Sequence, residues 1–565
     1  MAISKKELEF EDILEEVGDF GKFQKMLVWG FLLPAGFLLP WYVLNIIFLV
    51  YIPDHWCYVP VVAHSNLSIA AQRKIFETHK DAACFMYDLN YRKILDSNSK
   101  YVRNDKNFVP CTSWQYDTTH FEETAATKLN LVCENSHYAS LAMALTYVGS
   151  IIGTPLYGYL SDRIGRKPVF FIVVAVTTVT GIASVLVNNF IVFLVLRTIN
   201  GSLMPSIFQL PYIIAIEIVG MTKRTLVNSM ANISWGIGLC ILALMAYVTR
   251  HWVTLGLFTS SSCAIFFLYW KFLPESARFL ISRERYGEAL EVMTRIAKTN
   301  GKTLDPADLL SKLKALGKKA KEQKLQSQSK DSAIDLLRSP NLRKRFFIVT
   351  FCWIANVFSY YGLQINVQNL GGDPFLNFFL LAVVEIPGLF LCWYFMEKWG
   401  RRWATVTFMS TSGIACIFVG ILPDMPHVAT ICSLIGKFLA TASFMVVYQQ
   451  SSECNPTSLR AIGMGLSGTM GGVANLIVPY VIYLAYIEKY IPFLIIGVMT
   501  LLAAASAMFL DETLNYVLPQ TVRDSEEFGR DQKFFSCSGR RNSSEVENDV
   551  ELSPKLLEDG LAEKA

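Results

Sequence analysis

Apolar stretches of about twenty residues recur along the chain, at roughly 25–51, 137–160, 168–187, 190–217, 228–249, 253–272, 345–368, 374–396, 403–422, 428–449, 461–484 and 489–510. At about 1.5 Å per residue, each is long enough to cross a hydrocarbon core about 30 Å thick as a helix. Buried helices of soluble enzymes rarely run so far without a charge. Twelve such stretches predict an all-α membrane protein and argue against a large soluble α/β enzyme. With 52% hydrophobic residues and a net charge of only +4, nothing in the composition suggests a nucleic-acid partner.

The second half of the chain repeats the first at an offset of about 236 residues. Asp162-Arg163-Ile164-Gly165-Arg166-Lys167 returns as Glu397-Lys398-Trp399-Gly400-Arg401-Arg402. Glu217, with Arg224 seven residues on, returns as Glu453 with Arg460 seven on. Pro274-Glu275-Ser276 returns as Asp511-Glu512-Thr513. Two equivalent sets of six spans predict a transporter with its substrate path between the halves.

Basic residues crowd the turns after spans 2, 4, 6, 8 and 10, which the positive-inside rule places in the cytoplasm together with both termini. This predicts an amphipathic N-terminus at 1–24 without a cleavable signal and a first half at 25–272 with an outer loop at 52–136. Next come a basic linker at 273–344, a second half at 345–510 and a polar tail at 511–565, with disorder expected after about 520. Residues 298–330 hold nine lysines, which read as a solvated linker and orientation signal or as a contact for anionic lipid. The outer loop holds Cys57, Cys84, Cys111 and Cys133, four cysteines that predict two disulfides in one of three connectivities. It also holds Asn66-Leu67-Ser68, a glycosylation sequon. Asn232-Ile233-Ser234 lies within span 5 and Asn542-Ser543-Ser544 in the tail, where neither is expected to carry glycan. No CxxC or His/Cys cluster suggests a metal, no cofactor motif stands out, and no nucleophile–base set suggests catalysis.

The turn Gly158-Tyr159-Leu160-Ser161-Asp162-Arg163-Ile164-Gly165-Arg166-Lys167 joins spans 2 and 3. Gly158 permits close helix approach and Gly165 a tight turn, while Asp162 suits the N-terminal dipole of the next helix. The pattern resembles the loop signature of the major facilitator superfamily, and its return at 397–402 strengthens the likeness. That resemblance implies an inner gate of Asp162, Arg163, Arg166, Glu217, Arg224, Glu397, Lys398, Arg401, Glu453 and Arg460, in which Glu217 and Glu453 pair with the loop arginines. Exposed pairs are each worth only ~0–1 kcal/mol, so they can exchange during a cycle.

A narrower resemblance is carried by Asp12-Ile13-Leu14-Glu15-Glu16-Val17-Gly18, Gly21-Lys22-Phe23-Gln24 and Pro53-Asp54-His55-Trp56-Cys57. It continues through Pro274 to Leu280, Tyr361-Gly362-Leu363, Val384-Glu385-Ile386-Pro387 and Gly436-Lys437-Phe438. Over about 10–520 the chain is similar to the organic cation/anion/carnitine transporter family. Sugar porters share the turn motif but typically have a shorter first outer loop.

Glu385 and Lys437 fall in mid-span, where facing lipid would cost each roughly 2.5–3.5 kcal/mol. They are expected to meet substrate, take part in gating, or pair with one another. By the same resemblance, Arg197 in span 4, followed by Gly201, matches a structural arginine. Phe208, Tyr212, Trp235, Tyr360, Tyr361, Phe444 and Tyr448 are expected near the cavity. The resemblance implies an aromatic cage from Phe208, Trp235, Tyr360 and Phe444, which would hold alkylammonium groups by cation–π attraction. Where the family's cation carriers usually have aspartate in span 11, and its anion and carnitine carriers arginine, this chain has Gly472. The resemblance thus implies a plasma-membrane carrier of small organic ions working by alternating access, its substrates organic cations or zwitterionic amine derivatives. An organic anion or carnitine-type carrier, and a non-transporting receptor on the same fold, are the competing readings.

Overall fold

The computed structural model describes residues 9–76, 83–92, 95, 108–327, 334–422, 425–457, 459–516, 519–530 and 532. Among them, ten helices are long and apolar enough to cross a membrane. The tract Pro374–Ile421, 48 residues long, holds Gly400 at φ 83°, ψ 175°, which divides it into spans 8 and 9. With that division and the shorter apolar helix Ile491–Ala507, the ten become twelve. Span 5 begins at Met221 and span 7 at Pro340, earlier than hydropathy suggests, because polar turns at these ends continue the helix beyond the apolar tract.

The chain forms two compact units that do not coincide with the two sequence halves. The first comprises Met1–Gln328, Gln364–Val383 and Asn475–Lys489; the second comprises Ser329–Leu363, Val384–Ala474 and Tyr490–Ala565. Ring packing and polar contacts explain why pieces of spans 7, 8 and 11 join the first unit. Phe375 lies 4.7 Å from Phe121, 6.0 Å from Phe48 and 5.8 Å from Tyr247, and Phe378 lies 4.8 Å from Phe48. Gln368 Nε2 donates to the Ile47 carbonyl at 3.1 Å, and the Ser136 and Tyr483 hydroxyls meet at 3.0 Å.

Each unit contains one copy of the repeated turn. Gly165 has φ 114° and Gly400 φ 83°, a region that L side chains rarely enter. A Cβ on either glycine would lie 2.3 Å from a carboxylate oxygen, of Glu275 or of Glu512 respectively. Glu275 accepts the backbone N–H groups of Arg166 (3.0 Å), Lys167 (3.2 Å) and Ser276 (2.9 Å). Glu512 accepts those of Arg401 (2.8 Å), Arg402 (3.1 Å) and Thr513 (3.0 Å). The first amides of a helix lack internal acceptors, so each glutamate satisfies the start of span 3 or span 9. Burial pushes the Glu275 carboxyl above its ordinary range, and these donors only partly offset it.

The outer loop is pinned by Cys57–Cys111 and Cys84–Cys133, one of the three open pairings. Two antiparallel ribbons accompany them: β1 (His55–Cys57) with β4 (Trp114–Tyr116), and β2 (Phe85–Tyr87) with β3 (Phe108–Pro110). Trp56, Val62, Phe76 and Tyr91 form a small apolar core around Cys57 and Cys111.

The N-terminal helix Phe10–Val17 buries Phe10, Ile13, Leu14 and Val17, the i, i+3, i+4, i+7 face of an amphipathic segment. Asn300 clamps the turn after this helix, donating to the carbonyls of Val17 and Gly18 (both 3.1 Å) and accepting from Phe23 N–H (2.9 Å). The start of the tail departs from expectation. Residues 519–530 are ordered, with a helix at Val522–Glu527, because Arg345 of span 7 holds Asp511 and the carbonyls of Ser525 and Phe528. Asn341 adds bonds to Glu526 at 2.9–3.1 Å. The Asn542 sequon lies outside the described residues.

Candidate functional site

Span 8 is broken in mid-course. Its first helix, Pro374–Val383, is separated by the single residue Val384 from the next, which begins at Glu385. Pro387 offers no N–H to the carbonyl four residues back, and its ring crowds that carbonyl, so the helix yields there. Glu385 therefore heads a new helical segment inside the membrane, where the positive end of a helix dipole favours a carboxylate.

Lys437 reaches this carboxylate from span 10, Pro426–Cys454. Its Nζ lies 2.9 Å from Glu385 Oε1, an ion-pair contact rather than an aligned hydrogen bond, while Tyr360 Oη donates to Oε2 at 2.9 Å. The same Nζ donates to the Tyr360 carbonyl at 3.2 Å and sits 3.2 Å from the centroid of the Tyr360 ring. Lys437 is 0% exposed and Glu385 4%. Gly436 lets span 10 approach span 7, since a Cβ there would lie 3.2 Å from Leu363 Cδ1. Of the roles open to the two charges, mutual pairing is the one this geometry displays.

The aromatic candidates form one group in each unit. In the second, the Tyr360 ring lies 5.0 Å from Tyr361 and 5.8 Å from Phe444. Trp353 lies 5.3 Å from Phe444 and 6.0 Å from Tyr448, itself exposed. In the first, Phe208 lies 6.3 Å from Tyr212, nearly parallel, and 6.2 Å edge-on from Trp235; all three are half-buried. Gly472 is half-buried on span 11, and its neighbour Gly471 faces Val357 and Trp353.

The gate candidates lie at the helix ends that bear the basic turns. Asp162 pairs with Arg166 at 3.0 Å, and Arg163 stacks on Tyr159 at 4.8 Å. Arg224 donates to the Ile216 and Val219 carbonyls and, at 3.2 Å, to Glu11; Glu11 also takes Arg278 at 2.5 Å. Glu217 Oε2 is buried without a hydrogen-bond partner among the described residues. Arg224 thus meets a carboxylate of the N-terminal helix. In the second unit Arg401 pairs with Glu453 at 3.2 Å, Gln449 and Thr513 complete that carboxylate, and Lys398 donates to Tyr394 Oη at 2.6 Å. Glu397 is exposed, and Arg460 Nε is buried without a hydrogen-bond partner among the described residues.

Residues 82–521 match the family described as sugar (and other) transporter. The chain is 34% identical over 550 residues to the carcinine transporter of Drosophila melanogaster, covering 94% of this chain and 81% of that one. It is 32% identical over 548 residues to organic cation transporter 1 of Caenorhabditis elegans, covering 95% and 92%. The chain belongs to the organic cation/anion/carnitine transporter family of the major facilitator superfamily. A further member, the β-alanine transporter of Drosophila melanogaster, is 30% identical over 576 residues, covering 97% of this chain and 94% of that one. Among solved structures, a partially occluded, inward-open xylose transporter from E. coli superposes with a TM-score of 0.55 at 15% identity, covering 88% of this chain and 99% of that one. At that identity the likeness speaks to the fold alone.

In this organic ion transporter family member, several site residues escape a sequence reading. Trp353 lies seven residues before Tyr360, two turns away on the same helix face, and that spacing was the available signal. Asn356 and Ser443 tie spans 7 and 10 by a side-chain hydrogen bond, as Thr350 and Ser467 tie spans 7 and 11 at 2.9 Å. Arg197 is buried, with Nη1 donating to Asn45 Oδ1 at 3.3 Å; Asn45 in turn donates to Thr259 at 2.9 Å. His55 approaches the sulfurs of Cys84 and Cys133, but these are bonded to each other and are not thiolate ligands. Asn66 is exposed.

Proposed function

We propose that this multi-pass membrane protein carries small organic cations or zwitterionic amines across the plasma membrane by alternating access, with both termini cytoplasmic. The observation that supports this best is Lys437 itself. A primary ammonium lies against a carboxylate, a carbonyl and a tyrosine ring, the groups by which an amine substrate would be held. A substrate ammonium competes for Glu385 and the ring face. A zwitterion also offers a carboxylate to the displaced Lys437, so neither buried charge is left alone. Relatives named for carcinine, organic cations and β-alanine fit this chemistry.

In this reading Phe208, Tyr212, Trp235, Tyr360, Tyr361, Phe444, Tyr448 and the uncharged Gly472 line the path, with Glu385 and Lys437 as its ionic centre. Asp162, Arg163, Arg166, Glu217, Arg224, Glu397, Lys398, Arg401, Glu453 and Arg460 form the inner gate, and Asn66 carries glycan. The two six-helix halves, 25–272 and 345–510, rock about the site, and the protein acts as a carrier rather than an enzyme. The test is uptake by cells expressing the chain of a labelled quaternary ammonium, β-alanine, carnitine and an organic anion, at normal and collapsed membrane potential. Uptake of the ammonium or β-alanine is expected. Selective uptake of the anion or carnitine would transfer the weight to the competing carrier reading. Uptake of none, with protein at the surface, would favour a receptor.

A further inference from the structure

At the ends of spans 3 and 6, three basic residues come from neighbouring stretches of backbone. Lys167 is the second residue of the helix Arg166–Leu186, Lys271 comes just after span 6, and Arg295 lies on the linker helix Tyr286–Thr299. Arg295 Nη2 donates to the Lys271 carbonyl at 3.1 Å, which brings the guanidinium to the end of span 6. Lys167 Nζ lies 5.6 Å from the centroid of the Trp270 ring, and Arg295 is near enough to repel its ammonium.

Among the described residues, none of the three side chains is in an ion pair. The carboxylate that acts on Lys167 is Glu275, and its oxygens already serve the backbone N–H groups of Arg166, Lys167 and Ser276. Glu291, one turn before Arg295 on the same helix, is exposed and makes no ion pair with it. Three basic residues with one carboxylate nearby, itself engaged by backbone N–H groups, are left short of negative charge beside a low-dielectric medium, and an anion held among them relieves this.

The adjoining surface indicates which anion. Leu268 is 81% exposed, and Ile265, Phe267 and Ile172 are also exposed, as a helix face turned to lipid must be. Trp270, 51% exposed and 4.6 Å from Phe171, stands where this apolar strip ends. Tryptophan at such a boundary sits at headgroup depth, and the cations lie beside it.

We infer that Lys167, Lys271 and Arg295 form a binding site for the headgroup phosphate of an anionic phospholipid, whose acyl chains lie along Phe267, Leu268 and Ile172. Arg295 supplies a planar donor fork to phosphate oxygens, and the two lysines act as point charges. Trp270 closes the site on the lipid side.

The test is retention of phosphatidylserine against phosphatidylcholine by the purified full-length chain, measured by native mass spectrometry over a titration of each lipid. The wild type is expected to prefer phosphatidylserine. Lys271→Gln with Arg295→Gln is expected to weaken that binding roughly tenfold while leaving phosphatidylcholine retention unchanged. Lys271→Arg is expected to preserve it, and Lys314→Gln with Lys318→Gln, on the exposed face of the linker helix Pro306–Ser327, to have little effect. Single substitution Lys271→Gln, with a smaller loss, covers the case in which the double variant fails to fold. Equal retention of both lipids by the wild type, or the same loss in the linker control, would overturn the site. Displacement of phosphatidylserine by millimolar inorganic phosphate alone would overturn lipid as the source of the anion.

Discussion

The Lys437 ammonium lies 2.9 Å from Glu385 Oε1 and 3.2 Å from the centre of the Tyr360 ring, with no exposed surface of its own. Two opposite charges in the membrane interior thus neutralise one another at the break in span 8. Removing one partner from such a pair costs ~3–5 kcal/mol, because the other charge is left buried, whereas replacing both is often neutral or stabilising. Glu385→Gln and Lys437→Met are each expected to lower the unfolding temperature of the purified protein. The double variant should recover most of the loss. Additive losses in the double variant would mean that the two side chains are not energetically coupled.

A second prediction concerns the docked N-terminus. Burial alone would raise the Glu11 carboxyl, but the Arg278 guanidinium, with help from Arg224, holds it below its ordinary value. A depressed carboxyl stabilises the docked state above the ordinary carboxylate range and loses that contribution as pH falls through the folded value. Cleavage of the N-terminal segment by an acid-tolerant protease should therefore rise as pH falls below the ordinary carboxylate range and through the lowered Glu11 value. Glu11→Gln should already be cleaved readily at neutral pH and show little further change. Equal resistance of wild type and Glu11→Gln at neutral pH would show that the apolar face of Phe10–Val17 holds the segment unaided.

The two turn glycines give a third. Gly165→Ala and Gly400→Ala must each put a methyl group at positive φ and 2.3 Å from a glutamate oxygen. A left-handed non-glycine residue alone costs roughly 1–2 kcal/mol, and here the cap on span 3 or span 9 is displaced as well. Both variants should unfold at clearly lower temperature than wild type. At Gly158, contrary to the expectation of a close helix approach, nothing lies within 4 Å of an added carbon, so Gly158→Ala should be neutral or slightly stabilising. If all three behaved alike, the Glu275 and Glu512 caps would be irrelevant to stability.

A fourth concerns the outer loop. Asn66 is exposed beside a loop closed by two disulfides spanning 54 and 49 residues. Glycosidase treatment of the mature protein should increase its mobility on a gel, and Asn66→Gln should remove that shift. A persistent shift in Asn66→Gln would place the glycan elsewhere.

The spans and the repeat were legible because they rest on local physics. Hydropathy marks a membrane helix, and Gly165, Gly400, Glu275 and Glu512 recur in register. Their link was not legible, since Glu275 meets the Arg166 amide 109 residues away in sequence. Glu385 and Lys437 could be placed in depth by counting along their spans, but not in rotation about the helix axis. Only packing of spans 7, 8 and 10 turns them toward each other and stands the ammonium against Tyr360. Glu11 reads as a polar residue on a surface helix, and nothing local says that Arg224 and Arg278 will come to it. The ordered stretch after 519 escaped because its composition is polar, while its order comes from Arg345, far away in span 7.

The carrier mechanism stands or falls on whether an amine uses the place that Lys437 occupies. The most direct measurement is counterflow of labelled β-alanine and of a labelled quaternary ammonium into proteoliposomes containing wild type, Glu385→Gln, or Glu385→Gln with Lys437→Met. Saturable counterflow of at least one amine by wild type is expected. Its loss is expected in both variants, including the double variant that remains folded. Counterflow of either amine that survives undiminished in the folded double variant would contradict the mechanism.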